Sequence, residues 1–125
     1  MPRPKIDDFD PSVPFLSQLD TVDTGPIVLL NVFTVAHEDI PAMLDTWQRD
    51  SAVMRGQPGF ISAQLHQGIS GSGVFANYAV WESIEHFKQA CANPEFQAAI
   101  AGTPASAVAR PHVFKKIAVP GVCVA

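Results

Sequence analysis

Charged side chains are scarce in this chain. Lys, Arg, Asp and Glu together make up 16% of its 125 residues, against about 25% in ordinary globular domains. The eight Lys and Arg residues are scattered and the formal net charge is −4, so no basic stripe exists and nucleic acid is not expected as a partner. A domain with so little charged surface often covers part of that surface with a partner.

Long apolar runs and a secretory leader are absent as well. The run Ile27 to Leu30 is as long as any in the sequence and is far too short to span a bilayer. The first five residues lack the apolar core of a signal peptide. These features predict a cytoplasmic protein without a membrane partner.

Cysteine is also rare. Cys91 lies on a predicted helix and Cys123 in the C-terminal tail. Neither belongs to a CxxC pair or a histidine cluster, so no metal site is expected. Two reduced thiols fit a cytoplasmic protein, although a disulfide between them stays open at this point.

Hydrophobic patterning predicts four strands and two helical regions. Residues 27–35 (IVLLNVFTV) are typical of a strand buried on both faces, interrupted by Asn31. Residues 38–55 have the spacing of a helix with one apolar stripe. This predicted stripe consists of Ile40, Met43, Leu44, Trp47 and Met54.

Two further strands, residues 60–69 and 74–81, flank the turn 70–73 and predict a hairpin. Side chains alternate between the two faces of a strand. One face of the first of these strands therefore has Phe60, Ser62, Gln64 and His66. One face of the second has Phe75, Asn77, Ala79 and Trp81.

A second helix is predicted after Ser83, which suits an N-cap position. A short helix restarts at Asn93, which is followed by Pro and Glu. Residues 102–110 are predicted as a loop and residues 112–119 as the last strand.

The predicted order β-α-β-β-α-β is that of the ferredoxin-like α+β fold, with a four-stranded antiparallel sheet and both helices on one face. The first and third strands are apolar on both faces, so the bare face of the sheet needs a cover. A second copy related by two-fold symmetry is the simplest cover. We thus expect a domain at residues 27–119, a tail at residues 120–125, and a homodimer formed through the sheet face.

Residues 1–26 contain five prolines and show no clear period. Their apolar side chains nevertheless make them a poor solvated tail. These side chains are Phe9, Phe15, Leu16 and Leu19. We expect an extended arm that lies on the domain or on a partner subunit, with a disordered leader as the alternative.

Three blocks occur in order along the chain: VLLNVFTV at 28–35, QPGF at 57–60 and NYAVWES at 77–83. Together they resemble the antibiotic biosynthesis monooxygenase family, over residues 27–119. The resemblance implies a dimeric α+β barrel. The branch that is most similar, the cofactor-independent polyketide oxygenases, oxidises anthrone-type phenols with molecular oxygen and without flavin, haem or metal.

The resemblance also implies site residues. The third strand of that branch has an Asn and, four residues later, a Trp, which Asn77 and Trp81 match, while Asn31 matches an Asn on the first strand. These three are the candidate catalytic residues. Phe87 stands where a quinone-forming member has a Tyr, so a phenolic donor is missing there.

A second branch of the family degrades haem. Its Trp and axial His would fall at Ala90 and Ile100 of this chain. Without a His at that position the iron has no proximal ligand, so haem degradation is not expected.

An electron-rich phenolate or enolate can pass one electron to oxygen without a cofactor, so the protein has only to form the anion and keep it dry. The amide of Asn77 and the indole N–H of Trp81 can donate to such an oxyanion. They lie at most about 13 Å apart along a strand, a span that reaches opposite ends of a two- or three-ring molecule. Plain core packing of Trp81 and a structural hydrogen bond from Asn77 are the alternatives, and a buried Asn31 must bond either backbone or a ligand.

The pocket is expected between the helices and the face of the sheet that bears Asn77. Its expected apolar lining is Phe33, Phe75, Phe87 and Trp47. His66 and His86 are added as substrate-contacting candidate bases, because imidazole titrates near neutral pH. The other functional interpretation is a non-catalytic or differently catalytic dimeric barrel that binds a small apolar ligand.

Overall fold

The structure is a computed structural model that describes residues 5–125. Its strands are β1 (Lys5–Ile6), β2 (Ile27–Thr34), β3 (Phe60–Gln67), β4 (Val74–Trp81) and β5 (Val108–Phe114). Its α-helices are α1 (Phe15–Gln18), α2 (Ile40–Arg55), α3 (Ile84–Cys91) and α4 (Pro94–Ile100). A 3₁₀ turn, His37–Asp39, leads into α2. The strands form one sheet in the order β1-β5-β2-β4-β3.

This arrangement confirms the ferredoxin-like α+β fold. β2 pairs antiparallel with both β4 and β5, and β3 pairs antiparallel with β4. The prediction of four antiparallel strands is wrong in one respect, because the two-residue β1 adds a fifth strand that runs parallel to β5. A two-residue strand has no side-chain period, so sequence patterning could not reveal it.

The last strand also begins earlier than predicted. β5 starts at Val108, so the predicted loop over residues 102–110 is too long and the predicted strand start at His112 is too late. Pro111 is the reason that patterning missed the boundary, since proline is normally excluded from the middle of a sheet.

Pro111 is tolerated because of where its backbone nitrogen points. The carbonyl of Ala109 accepts from Asp7 at 2.9 Å and the N–H of Val113 donates to Gln18 at 2.8 Å, both on the side of β5 away from β2. Residues two apart in a strand share this orientation, so the missing N–H of Pro111 costs no hydrogen bond to β2.

The helices cover one side of the sheet, here called the inner face. Two clusters of buried apolar side chains fill the space between them, one around Trp81 and Phe87 and the other around Phe33 and Phe75. The N-caps match the sequence prediction: Ser83 Oγ accepts the first-turn N–H of α3, and Asn93 Oδ1 does the same for α4.

A β-bulge interrupts the pairing of β3 with β4 between Phe60 and Ser62. The extra residue shifts the alternation of β3, since a bulge sets two residues against one. Phe60 therefore shares the inner face with Ala63 and Leu65, and Ile61 is 51% exposed. Ser62, Gln64 and His66 share one face as predicted, and the prediction is wrong for Phe60, which the bulge places on the opposite face.

The opposite side of the sheet, here called the outer face, is contacted by the N-terminal segment at β5, where Phe9 meets His112 edge-on with ring centroids 6.5 Å apart. It includes Leu30 on β2, its register partner Tyr78 on β4, and His112 on β5. Tyr78 is 45% exposed. No helix in the described part of the chain has the length and apolar character needed to cross a membrane.

Residues 5–26 lie against their own domain, and residues 1–4 of the predicted arm fall outside the described residues. Phe15 on α1 packs edge-on against Phe87, with ring centroids 6.2 Å apart. Gln18 is buried; its Nε2 donates to the carbonyl of Val13 at 2.8 Å and lies 3.1 Å from Nδ1 of His112. These contacts hold Phe15 and Gln18 against the domain.

Candidate functional site

A cavity of about 540 Å³ lies between the inner face of the sheet and the helices. This volume is in the range of small-molecule sites. Its wall is mainly apolar, and residues of β2, β4 and α2 meet there with α3 and the N-terminal segment. The segment contributes Ile6, Phe15, Leu16 and Leu19.

Asn31 and Asn77 bring amide groups to the sheet side of the cavity. Both line it, and they are register partners on β2 and β4. The Oδ1 atoms of both side chains are buried and have no hydrogen-bond partner among the described residues. A buried acceptor without a donor is costly, so the pair is suited to a ligand that supplies hydroxyl donors.

Trp47 brings a third unpartnered polar atom from the helix side. It lies on α2 and lines the cavity, and its Nε1 is buried without an acceptor in the described part of the chain. Because an indole nitrogen only donates, this position is suited to a ligand carbonyl or oxyanion.

Trp81 borders the cavity but is 1% exposed. Its ring meets Phe60 edge-on at 5.4 Å and Phe87 at a tilt at 5.6 Å. These rings occupy much of the surface that a stacking substrate would use. Core packing, the alternative considered from sequence, therefore accounts for a large part of the environment of Trp81.

The two remaining phenylalanines behave differently. Phe33 lines the cavity, whereas Phe75, its register partner on β4, does not. Phe75 is 1% exposed and stacks on Phe33 with ring centroids 5.4 Å apart. The expected contact of Phe75 with substrate is thus replaced by a supporting contact behind Phe33.

His66 and His86 do not line the cavity, contrary to expectation. The bulge in β3 turns His66 to the outer face, where it is exposed. His86 Nδ1 lies 2.7 Å from Ser83 Oγ, and its ring packs on Gly59. A Cβ at Gly59 would lie 2.3 Å from the imidazole Cγ, and the φ of +85° there also favours glycine.

Asp50 is a cavity residue that sequence patterning missed. It lies on α2 one turn after Trp47. Burial raises the pKa of its carboxyl from 3.8 to about 7, and the hydrogen bond from Ser51 Oγ, at 3.1 Å, offsets only part of that effect. The available signal was its place on the apolar stripe, three residues after Trp47 and four before Met54, where an acidic residue is unusual.

Two other ionisable side chains line the cavity, Lys88 and Cys91. The amine of Lys88 pairs with Asp20 at 2.8 Å. Burial raises the pKa of the Cys91 thiol to about 12, so the thiol is neutral and unreactive at physiological pH. Cys91 and Cys123 are both free.

No three His, Cys, Asp or Glu side chains within residues 5–125 are grouped so that they could hold a metal ion.

Comparison with known proteins gives two similar curated sequences. The chain is 36% identical over 80 residues to tetracenomycin-F1 monooxygenase of Streptomyces glaucescens, a match that covers 62% of this chain and 70% of that protein. It is 31% identical over 77 residues to deoxynogalonate monooxygenase of Streptomyces nogalater, covering 62% of this chain and 64% of that one.

Solved structures share the fold. SnoaB, described as a cofactor-independent oxygenase from Streptomyces nogalater, superposes with a TM-score of 0.67 at 22% identity, over 78% of this chain and 98% of SnoaB. A protein of Shewanella loihica superposes with a TM-score of 0.66 at 27% identity, over 78% of this chain and all of that one.

The family model for antibiotic biosynthesis monooxygenases matches residues 26–102. This range contains Asn31, Trp47 and Asp50 together with the whole of β4. With more than half of its length inside that match, the chain belongs to the antibiotic biosynthesis monooxygenase family.

Proposed function

We propose that this chain is a cofactor-independent monooxygenase that oxidises a phenolic or polycyclic, anthrone-like molecule with molecular oxygen. The observation on which this rests is the set of three unpartnered polar atoms, Oδ1 of Asn31, Oδ1 of Asn77 and Nε1 of Trp47, in a mainly apolar cavity. Two acceptors and one donor match a polycyclic molecule with hydroxyl groups near the sheet and a carbonyl near α2.

The reaction needs few protein groups. A substrate CH₂ group loses a proton, the resulting anion gives an electron to oxygen, and the two radicals combine to a hydroperoxide. Loss of water then leaves a carbonyl, so that CH₂ and O₂ become C=O and H₂O. The side-chain N–H groups of the asparagines and the indole N–H of Trp47 stabilise the oxyanion by donating hydrogen bonds, which are stronger where water is excluded.

The volume of the cavity and the names of the similar proteins support the same class of substrate. A cavity of about 540 Å³ accepts a three-ring molecule. The two curated relatives are named as monooxygenases of tetracenomycin F1 and deoxynogalonate, and SnoaB is described as cofactor-independent.

The proposed enzyme is a homodimer with the outer faces of two sheets in contact. Tyr78 at 45% and Phe114 at 43% exposure leave apolar surface on that face, and burying it against a second copy is favourable.

The test is oxygen uptake and quinone formation with 1,8-dihydroxyanthrone. Wild type should consume oxygen faster than the uncatalysed reaction does. Asn77→Ala and Trp81→Phe should lower the catalysed rate, whereas Gln48→Ala on the exposed side of α2 should leave that rate unchanged. A wild type that binds the anthrone without raising oxygen uptake would instead support a non-catalytic or differently catalytic barrel that binds a small apolar ligand, which the tight packing of Trp81 favours.

A further inference from the structure

The geometry points to Asp50 as the general base that takes the acidic proton of the substrate, an inference that rests on the proposed oxidation of an anthrone-type molecule. The proposed reaction needs an anion, and the two histidines considered for forming it lie outside the cavity. Asp50 is the one carboxylate on the cavity wall among residues 5–125.

The position of Asp50 is set by the helix. Met43, Trp47, Asp50 and Met54 follow each other at intervals of four, three and four residues along α2, which places them on one face. All four line the cavity. The carboxyl therefore shares its face of α2 with the unpartnered Nε1 of Trp47 and lies across the cavity from the inner face of the sheet.

No cation neutralises Asp50 within the described part of the chain. Its side-chain hydrogen bond comes from Ser51, and none of the ion pairs among residues 5–125 includes it. On its own helix, Arg49 is exposed and pairs with Asp45 at 2.8 Å. At the cavity wall, Lys88 pairs with Asp20.

The elements packed against α2 bring no charge to the carboxyl either. Glu95 on α4 and His66 on β3 are exposed and do not line the cavity. Glu38 in the preceding 3₁₀ turn is also exposed, and the thiol of Cys91 is neutral. Desolvation therefore dominates the ionisation of Asp50.

The proton transfer is balanced within the cavity. The C–H bond of the anthrone CH₂ breaks, or the O–H bond of its enol, and an O–H bond forms on Asp50. The electron pair stays on the substrate as a delocalised anion, and no electron leaves until oxygen arrives. The cavity holds one negative charge before and after the step, so no additional charge has to be buried.

The ionisation range of Asp50 suits this role. A carboxyl with a pKa of about 7 is partly ionised at neutral pH and is a stronger base than an ordinary aspartate. A base is most effective when its pKa lies near the working pH. The same burial that weakens the carboxyl as an acid makes it able to accept a proton from a weakly acidic substrate.

The decisive variant is Asp50→Asn, which keeps the shape of the side chain and removes its ability to accept a proton. Mixed with 1,8-dihydroxyanthrone at pH 7.5 without oxygen, wild type should develop the absorption of the anthrone anion, and the variant should bind the anthrone without that absorption. In air, kcat of the variant should fall by about 10²-fold or more, with KM changed by less than about threefold. Asp50→Glu should recover part of the loss, and Asp45→Asn, exposed on the same helix, should match wild type.

The pH profile separates a base from a structural residue. Wild-type kcat should rise through about pH 7, the pKa of Asp50, and the rise should be lost in Asp50→Asn. Equal anion absorption and equal pH profiles in the two proteins would overturn the role of Asp50 while leaving the oxygenase function intact. Anion formation that depends on Asp50 without any oxygen uptake would support the base and reject the oxygenase.

Discussion

Asn31 and Asn77 face each other across β2 and β4, each with a buried amide oxygen that no described residue satisfies. Directly opposed residues of antiparallel strands have Cα atoms about 4.5–5.5 Å apart. The pair therefore forms one polar spot on the inner face of the sheet, and a ligand that donates hydrogen bonds there would offset the free energy cost of the two unpartnered oxygens.

This pairing predicts that substitution of either asparagine lowers activity but leaves the free energy of unfolding nearly unchanged. Asn31→Ala and Asn77→Ala should each lower kcat/KM for the anthrone by about 10²-fold, while the free energy of unfolding changes by less than about 1 kcal/mol, since no hydrogen bond is lost. Oxygen uptake and urea unfolding measure the two quantities.

Asn93 offers the matched contrast. Its amide caps α4 and donates to Gln57, so Asn93→Ala should lower the free energy of unfolding by about 1 kcal/mol and leave kcat/KM unchanged. The same stability loss in all three variants would argue against the unpartnered state of the cavity amides.

Asp50→Asn should make the protein more stable at alkaline pH. The folded-state pKa of Asp50, about 7, lies above the ordinary value of 3.8, so folding favours the protonated carboxyl. That contribution is complete below about pH 4 and is lost as the pH rises through about 7. The variant should exceed wild type in free energy of unfolding by about 1–4 kcal/mol at pH 8 and by much less at pH 5.

Urea unfolding at fixed protein concentration at the two pH values gives this difference, with Asp45→Asn as the exposed control on α2. A stability gain that does not depend on pH would mean that Asp50 ionises like a solvated carboxyl.

The two tryptophans should respond differently to the same substitution. Trp47→Phe removes an unpartnered N–H and should raise KM for the anthrone about tenfold with less than about 1 kcal/mol lost in stability. Trp81→Phe leaves a gap between Phe60 and Phe87 and should destabilise by about 1–3 kcal/mol. Thermal unfolding and steady-state kinetics on both variants distinguish these effects. Equal stability losses would contradict the distinction between a ligand-facing Trp47 and a core-packed Trp81.

The N-terminal segment should detach when Gln18 is truncated. Gln18 is 7% exposed and hydrogen-bonds Val13 and Val113. Gln18→Ala should speed hydrogen exchange and proteolysis over residues 5–20, while α2 and β4 keep their protection. Gln48→Ala, an exposed glutamine, is the control, and unchanged exchange in Gln18→Ala would show that apolar contacts alone hold the segment.

A charge on the outer face should break the proposed dimer. Tyr78 is 45% exposed in the single chain, so Tyr78→Arg should leave the fold intact and shift sedimentation from dimer to monomer. Gln48→Arg, on the exposed side of α2, should remain dimeric. A wild type that sediments as a monomer would exclude the dimer altogether.

The fold could be predicted from sequence because long strands and helices have clear periods. β4 and the caps Ser83 and Asn93 were placed correctly. The faces of β3 were not, because a one-residue bulge reverses the alternation and leaves no mark in composition. His66 is a candidate base from sequence because imidazole titrates near neutral pH, and its position on the outer face follows only from the structure.

The candidate site was predicted in part. The Asn31 and Asn77 positions follow from strand alternation and resemblance, whereas Asp50 is missed because the helical stripe is defined by apolar residues alone. The raised pKa of Asp50 depends on burial of its carboxyl and on the lack of a nearby cation among the described residues. Both are properties of the packed molecule rather than of the sequence.

The N-terminal segment has a consequence for the shape of the cavity in related chains. Ile6, Phe15 and Leu16 form part of the cavity wall, yet they precede the family match, which starts at residue 26. Part of the cavity wall thus lies outside the stretch that the family match covers, whereas Asn31, Trp47, Asp50 and Asn77 lie within it. Replacing residues 5–26 would change the wall of the cavity while Asn31, Trp47, Asp50 and Asn77 stay in place.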